Sequence, residues 1–479
     1  MRYTTRFLLL ALVVFLLGLR LWHIQADFPS YHFYSQDRAR FTDEGFYTNA
    51  ALRHFTTGQV YIPGGWNPGA FMPVWPLIVG AIFHFTGISV IAARTLAVLF
   101  TWMSVLLAYA VARQYRSRTF ATLTALLLAT NALGFFFSRL AILEPAFVFS
   151  LLLAVYLAGK LRPREYALAV VVGIVFTIST LTKTTGLFLL PAVLYPIWAR
   201  NREHRSEAWK LLAVIIGVIV FLLGCARFLW SHAYAADFQV IFGLKPLTQI
   251  EHALPHLLRF FFRGTWVDPV MFPLAVMGFV AAVFWLRFLW RDPLFVTAFF
   301  WEAGYAAFLV FHYGPPRYFV VLIVPTTWLA LLFMEWLWQK RRTAALILAA
   351  CIVASTGWNL ASIAAYLAHP RYTLVNASVS IRRIIEADRS VKPLLIGRGA
   401  DEFSLLSGGF PTMDSDGALP LAQKISTYHP GWFMQWTGDT PQRMATVETQ
   451  CRVVERARFA ALDPSGHTAV TLYQLFPKE

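Results

Sequence analysis

Cysteine is nearly absent from this chain. Three occur among 479 residues, with Cys225 and Cys351 inside apolar runs and Cys451 in a polar tail. That excludes a disulfide framework and a zinc cluster. Acidic residues are also scarce, 25 against 41 Lys and Arg, for a formal charge of +16. Such an excess suits nucleic acid, but here Lys and Arg gather in short loops between apolar stretches, where they set membrane topology instead. Nucleic acid is therefore not an expected partner. No internal repeat and no low-complexity tract is visible. Nor does a small-residue cleavage site follow the first apolar run, which continues as Leu21-Trp22-His23-Ile24-Gln25. Residues 7–22 accordingly read as an anchored first span and not as a removable signal.

What is present is apolar: 58% hydrophobic, 16% aromatic, mean hydropathy +0.56. A soluble fold cannot hide that much surface, so the reading is a mainly α, polytopic helical bundle in the plasma (inner) membrane, among membrane lipids. Arg2 and Arg6 ahead of the first span put the N-terminus in the cytoplasm. Residues 23–89 then lie outside, and 71–86, interrupted by Pro73, Pro76 and His84, reads as an amphipathic helix at the interface. Further spans are expected at 90–112, 119–137, 146–159, 166–182, 185–199, 211–230, 269–287, 294–311, 319–338 and 344–366. Each basic loop, such as Arg113–Arg118 or Lys340–Arg342, then falls on the cytoplasmic side. With the first span the total is about eleven, an odd number, which places the tail outside. The membrane domain is thus 1–369, and 370–479 is a small extracytoplasmic (periplasmic) α/β domain. In that tail, 376–387 has helical periodicity, while 393–397, 452–462 and 468–475 read as strands.

This topology brings four polar clusters to one outer boundary. The first is Asp43-Glu44, which opens a short helix that Thr42 is placed to cap. Adjacent residues on a helix point about 100° apart, so the two carboxylates cannot share one task, and Gly45 leaves room for a substrate near the backbone. The second is Ser138-Arg139 through Glu144-Pro145, and the third Thr182-Lys183-Thr184. The fourth runs from His312 to Arg317-Tyr318. Each has a plain structural alternative: Arg139 and Arg317 can snorkel to headgroups, and Glu144-Pro145 can simply start a helix. Lys183, inside an otherwise apolar stretch, is harder to dismiss, because ionisable groups there are costly and usually functional. Together the clusters suit transfer from a lipid phosphate. Cations hold the phosphate and stabilise it as it leaves, while one carboxylate takes the proton of an incoming hydroxyl or amine.

These residues resemble the GT-C glycosyltransferases of the protein O-mannosyltransferase and aminoarabinose-transferase group. The resemblance rests on Asp43-Glu44-Gly45-Phe46-Tyr47, Gly87-Ile88-Ser89 to Arg94, Leu143-Glu144-Pro145, Thr182-Lys183 and Arg317-Tyr318. It covers roughly the first two thirds of the chain. It implies Asp43 as general base, with Glu44 and Glu144 as the other catalytic candidates. Glu144 stands where relatives often have Asp. It further implies that Lys183, Arg139 and Arg317 contact the donor phosphate, with His312 and Tyr318 beside them. The implied donor is a polyprenyl-phosphate sugar, the acceptor a glycan, lipid or protein, and the outcome inversion without a metal or other cofactor.

Three weaker signals and two other functions stand beside this reading. Glu251, His252 and His256 present a metal-like face without an evident third ligand beyond them, so no metal is expected. Trp66 and Trp75 suit sugar stacking but equally an interfacial aromatic belt, and Arg259 and Arg263 suit lipid headgroups. A transporter or flippase for lipid-linked sugars would call for charges near the bilayer midplane and matching halves, neither of which is apparent. A polymerase of lipid-linked oligosaccharides would share the same chemistry.

Overall fold

The computed structural model describes residues 11–29, 37, 41–229, 253–284, 287–311, 314–462 and 468–478. The membrane part begins with α1 (Ala11–Leu21), followed by α2 (Asp43–Thr57) and α3 (Val74–Thr86). It continues through α4 (Val90–Tyr115), α5 (Arg118–Thr130), α6 (Ala132–Phe137), α7 (Glu144–Ala158), α8 (Tyr166–Thr182), α9 (Leu190–Arg200) and α10 (Arg205–Leu229). Then come α11 (Ala253–Gly264), α12 (Met271–Phe284), α13 (Pro293–Phe311), α14 (Ile323–Lys340) and α15 (Arg342–Ala368). Among the described residues five helices are long and apolar enough to cross a bilayer, the first being α4. At 26 residues it extends about 39 Å, enough for the roughly 30 Å of hydrocarbon. Helices prevail because lipid offers no partner to a backbone N–H or C=O, so each segment must satisfy its own. Their polar ends are capped locally: Ser89 and Ser117 accept the amides of Ala92 and Phe120 at the starts of α4 and α5.

Several expected spans are broken or change helix type, one of them where a polar side chain competes for the backbone. The run 119–137 is not one helix: Asn131 leaves the helical region and its side chain accepts the Gly134 amide at 2.8 Å, ending α5 and starting α6. The run 185–199 opens as a 3-10 turn, Thr184–Leu189, before α9, and 319–338 opens as another, Pro316–Leu322, before α14. Both turns fall beside the polar clusters, where the chain must change direction.

The remaining chain forms α16 (Thr373–Ala387), α17 (Ala400–Ser407), α18 (Leu421–Tyr428) and α19 (Pro441–Gln450) about one sheet. Its strands are β1 (Leu395–Gly397), β2 (Thr412–Asp414), β3 (Trp432–Trp436), β4 (Cys451–Ala460) and β5 (Ala469–Pro477), in the order β2-β1-β3-β5-β4. The first three are parallel, and β5 and β4 complete the sheet as antiparallel neighbours. The β1–β3 pair is the point where the strand order reverses, the place where open α/β sheets usually present a crevice at their carboxyl ends. Here that crevice meets the segment before α2: the Phe41 ring lies 5.0 Å from Trp436, and a Cβ on Gly399 would sit 2.7 Å from the Phe41 carbonyl oxygen.

Candidate active site

Asp43 is the first residue of α2 and is 7% exposed. Thr42 occupies the cap position, yet its side chain does not cap: the hydroxyl donates to Asp43 Oδ1 at 2.9 Å. On the other oxygen, Arg317 Nε approaches Asp43 Oδ2 at 2.7 Å. Arg317 comes from the 3-10 turn ahead of α14 and is itself gripped by Asp37, which accepts from its backbone amide at 2.7 Å and pairs with its guanidinium. Burial pushes the Asp43 carboxyl above its ordinary range against the opposing pull of Arg317, and the negative charges of Asp37 and Glu144 add to the rise. Tyr47, one turn along α2, is buried beside Tyr318, Asp43 and Glu144, and its phenol is held well above its usual range, first by burial.

The second pair lies against the same aromatic ring. Glu144 starts α7 with Pro145 behind it, as a helix beginning favours. Lys183 ends α8 in an extended conformation, which turns its side chain out of the helix register. Lys183 Nζ donates to Glu144 Oε1 at 2.5 Å and stands 4.0 Å from the centre of the Tyr318 ring, while the Arg317 guanidinium lies 5.0 Å from that ring. Two cations, each paired with a carboxylate, thus converge on Tyr318. Among the described residues, Glu144 Oε2 and Thr184 Oγ1 are buried without a hydrogen-bond partner, so the cluster retains unused polar capacity. A Lys183 ammonium with one of three donors used can donate to a further anionic oxygen.

The structure therefore brings together Asp43, Glu144, Lys183, Arg317 and Tyr318. It does not bring in Glu44 or Arg139. Glu44 is fully buried and takes a fork from Arg94, at 2.8 Å from Nε and 2.5 Å from Nη2, plus the Ala141 amide at 2.6 Å. Arg139 points its guanidinium at carbonyl oxygens that end the first helix, those of Arg20, Trp22 and His23 at 2.8, 2.7 and 2.6 Å. That is the capping role a cation plays at a helix C-terminus. The space expected beside Gly45 is filled: a Cβ there would overlap the Glu402 backbone of α17. His312 lies outside the described residues, as do Glu251 and His252 of the metal-like face. Among the described residues no three His, Cys, Asp or Glu side chains form a group able to hold a metal ion.

Asp37 and Glu402 were not anticipated in this neighbourhood, and Arg94 and Tyr47 entered only as residues that carry the resemblance, with no role assigned. Arg94 did carry a signal, being an arginine early in an apolar run. Asp37 and Glu402 carried none, since both act on partners far along the chain.

Residues 68–224 match the family described as dolichyl-phosphate-mannose-protein mannosyltransferase. No curated protein matches the sequence. Among solved structures, ArnT from Cupriavidus metallidurans bound to undecaprenyl phosphate is similar at 15% identity and TM-score 0.63, over 98% of both chains. The oligosaccharyltransferase of Archaeoglobus fulgidus is similar at 11% identity and TM-score 0.59, over 93% of this chain and 72% of that one.

Proposed function

This chain has the GT-C fold shared with ArnT, and from that premise we propose that it is an integral-membrane glycosyltransferase using a polyprenyl-phosphate sugar. The observation that carries the reading is the pair of cation–carboxylate contacts, Asp43–Arg317 and Glu144–Lys183, set against Tyr318. Undecaprenyl phosphate bound to the similar ArnT supports a lipid-linked donor. The positions of Arg113, Arg116, Arg341 and Arg342 at the opposite helix ends support an extracytoplasmic site and an extracytoplasmic α/β unit.

In this reading Asp43 takes the proton from the acceptor hydroxyl or amine as the new bond forms at the anomeric carbon. The anomeric carbon–oxygen bond to phosphate breaks on the far side, so configuration inverts, and the polyprenyl phosphate leaves with the electron pair. Lys183 and Arg317 stabilise that leaving phosphate, with Tyr318 as the shared wall. Because a phosphate leaves without needing a proton, one base suffices. Glu144 holds Lys183 in place, and Glu44 and Arg139 position helices and do not touch donor. The test incubates membranes containing the wild type or Asp43→Asn, matched for expression, with radiolabelled polyprenyl-phosphate sugars. Label should move from donor to acceptor with the wild type, and transfer should fall by about 10²–10⁴-fold in the variant while donor binding survives. Normal turnover by Asp43→Asn would remove the base from this mechanism.

A further inference from the structure

We infer that Glu402, on α17 of the C-terminal α/β unit, is a positioning residue for Asp43: it caps α2 from another part of the chain and so frees Thr42 to hold the base. The first-turn amides of a helix have no partner within the helix, and a Thr at the cap position ordinarily accepts the third one. In α2 the third residue is Gly45, and its amide donates at 2.7 Å to Glu402 Oε2, 357 residues away. Thr42, relieved of that task, donates its hydroxyl to Asp43 Oδ1 at 2.9 Å. Gly45 is what allows the approach, since any side chain would overlap the backbone at Asp401 and Glu402.

The surroundings fix this arrangement from several sides. Phe41 sits against Trp436 at the crevice between β1 and β3, so the ligand position of the sheet is taken by the segment that leads into the base. One helical turn or more along α2, Arg53 pairs with Asp401 at 3.3 Å, both buried. Glu402 is itself fully buried facing Glu44, and burial together with that negative neighbour holds its carboxyl well above the ordinary range. A proton retained on Glu402 leaves one oxygen to accept from Gly45 and makes the other a donor towards Glu44.

This inference rests on Asp43 as the base, and the experiment keeps the two apart. Glu402→Gln preserves an acceptor for the Gly45 amide and a donor for Glu44. Glu402→Ala removes the cap, so the Thr42 hydroxyl turns back to Gly45 and releases Asp43. Each variant is assayed in the full-length protein in detergent for kcat, donor binding and the pH dependence of kcat/KM. Glu402→Ala should lower kcat about 10–100-fold with donor binding within twofold, and Glu402→Gln should restore most of it. The acid limb should move to higher pH in Glu402→Ala, because Thr42 no longer favours the Asp43 carboxylate while Arg317, Asp37 and Glu144 still face it. Thr42→Val should reproduce both effects in an otherwise wild-type chain. Wild-type kcat in a folded Glu402→Ala, or equal loss of kcat and donor binding in the Gln and Ala variants, overturns the inference. The base assignment fails separately, on normal turnover by Asp43→Asn.

Discussion

Replacing Glu44 by Gln should damage stability far more than the neighbouring Asp43→Asn does. Glu44 is the meeting point of three segments: its own helix α2, Arg94 of α4, and the Ala141 amide three residues ahead of Glu144. Glutamine offers one acceptor oxygen and turns an NH₂ towards a guanidinium that has only donors. At least one charge-assisted hydrogen bond is lost, at about 1.5–3 kcal/mol. The Arg94 charge, 2% exposed, is left without its counter-ion, and breaking such a buried pair costs about 3–5 kcal/mol in all. Thermal unfolding in detergent, followed by tryptophan fluorescence and by retention of monodisperse protein, should show a clear fall for Glu44→Gln and little change for Asp43→Asn. Surviving Glu44→Gln protein should keep a measurable rate, because the proposed base, Asp43, is intact. Equal stability of Glu44→Gln and wild type would refute this account of the Arg94 fork, and a stable but inactive Glu44→Gln would move the catalytic role to Glu44.

Lys183→Ala should weaken donor binding by about 1.5–3 kcal/mol through loss of a charge-assisted contact, read by titration with polyprenyl phosphate. Unchanged affinity would make the lysine a partner of Glu144 only. For pH, the proposed base, Asp43, works deprotonated, and its folded-state affinity for a proton is raised. Activity should therefore fall as the pH drops while still above the ordinary carboxylate range, in a profile of kcat/KM against pH. A limb at or below the value of a free Asp would contradict this. Lys424, buried and pushed down to about 8, donates to the carbonyl oxygen of Asp414 at 2.8 Å. Its proton is held more weakly folded than unfolded, so this group alone makes stability rise between about pH 8 and 10.5, and Lys424→Met should remove that rise in unfolding measurements. For topology, a lone cysteine at exposed Ser117 should label only from the cytoplasmic side and one at exposed Ser426 only from outside, and labelling of both from one side would sink the orientation.

The membrane helices were legible because lipid imposes a long apolar run on each of them, and α4, α10 and α15 lie close to where hydropathy placed them. The helix break at Asn131 was not, since a single side-chain-to-amide bond decides it below the resolution of a hydropathy window, and the 3-10 turn that opens at Pro316 lies within the same window without such a cap. In the tail, α16 and the long strands β4 and β5 were read from periodicity, but β2 and β3 escaped. Both are buried on two faces, and a run such as Trp432–Trp436 shows no alternation to read. At the site, Asp43, Glu144, Lys183, Arg317 and Tyr318 stood out as polar groups at one boundary. What separated Asp43 from Glu44 was invisible: the identity of each one's partner, Arg317 in one case and Arg94 in the other. Likewise Arg139 and Arg317 are alike as sequence, and only their partners, backbone carbonyls for Arg139 and the carboxylates of Asp37 and Asp43 for Arg317, tell them apart.

The bond from Gly45 to Glu402 also has a bearing on biogenesis. Helix α2 is among the first segments to leave the ribosome, yet the carboxyl that caps it is synthesised 357 residues later. At about 5–20 residues per second that interval is on the order of 20–70 s. Throughout it the helix start must borrow Thr42 or water, and Asp43 stays untethered. On the proposed mechanism the nascent chain therefore carries its base unset, and a chain that ends between Ala368 and Glu402 would keep the described membrane helices while lacking the group that caps α2.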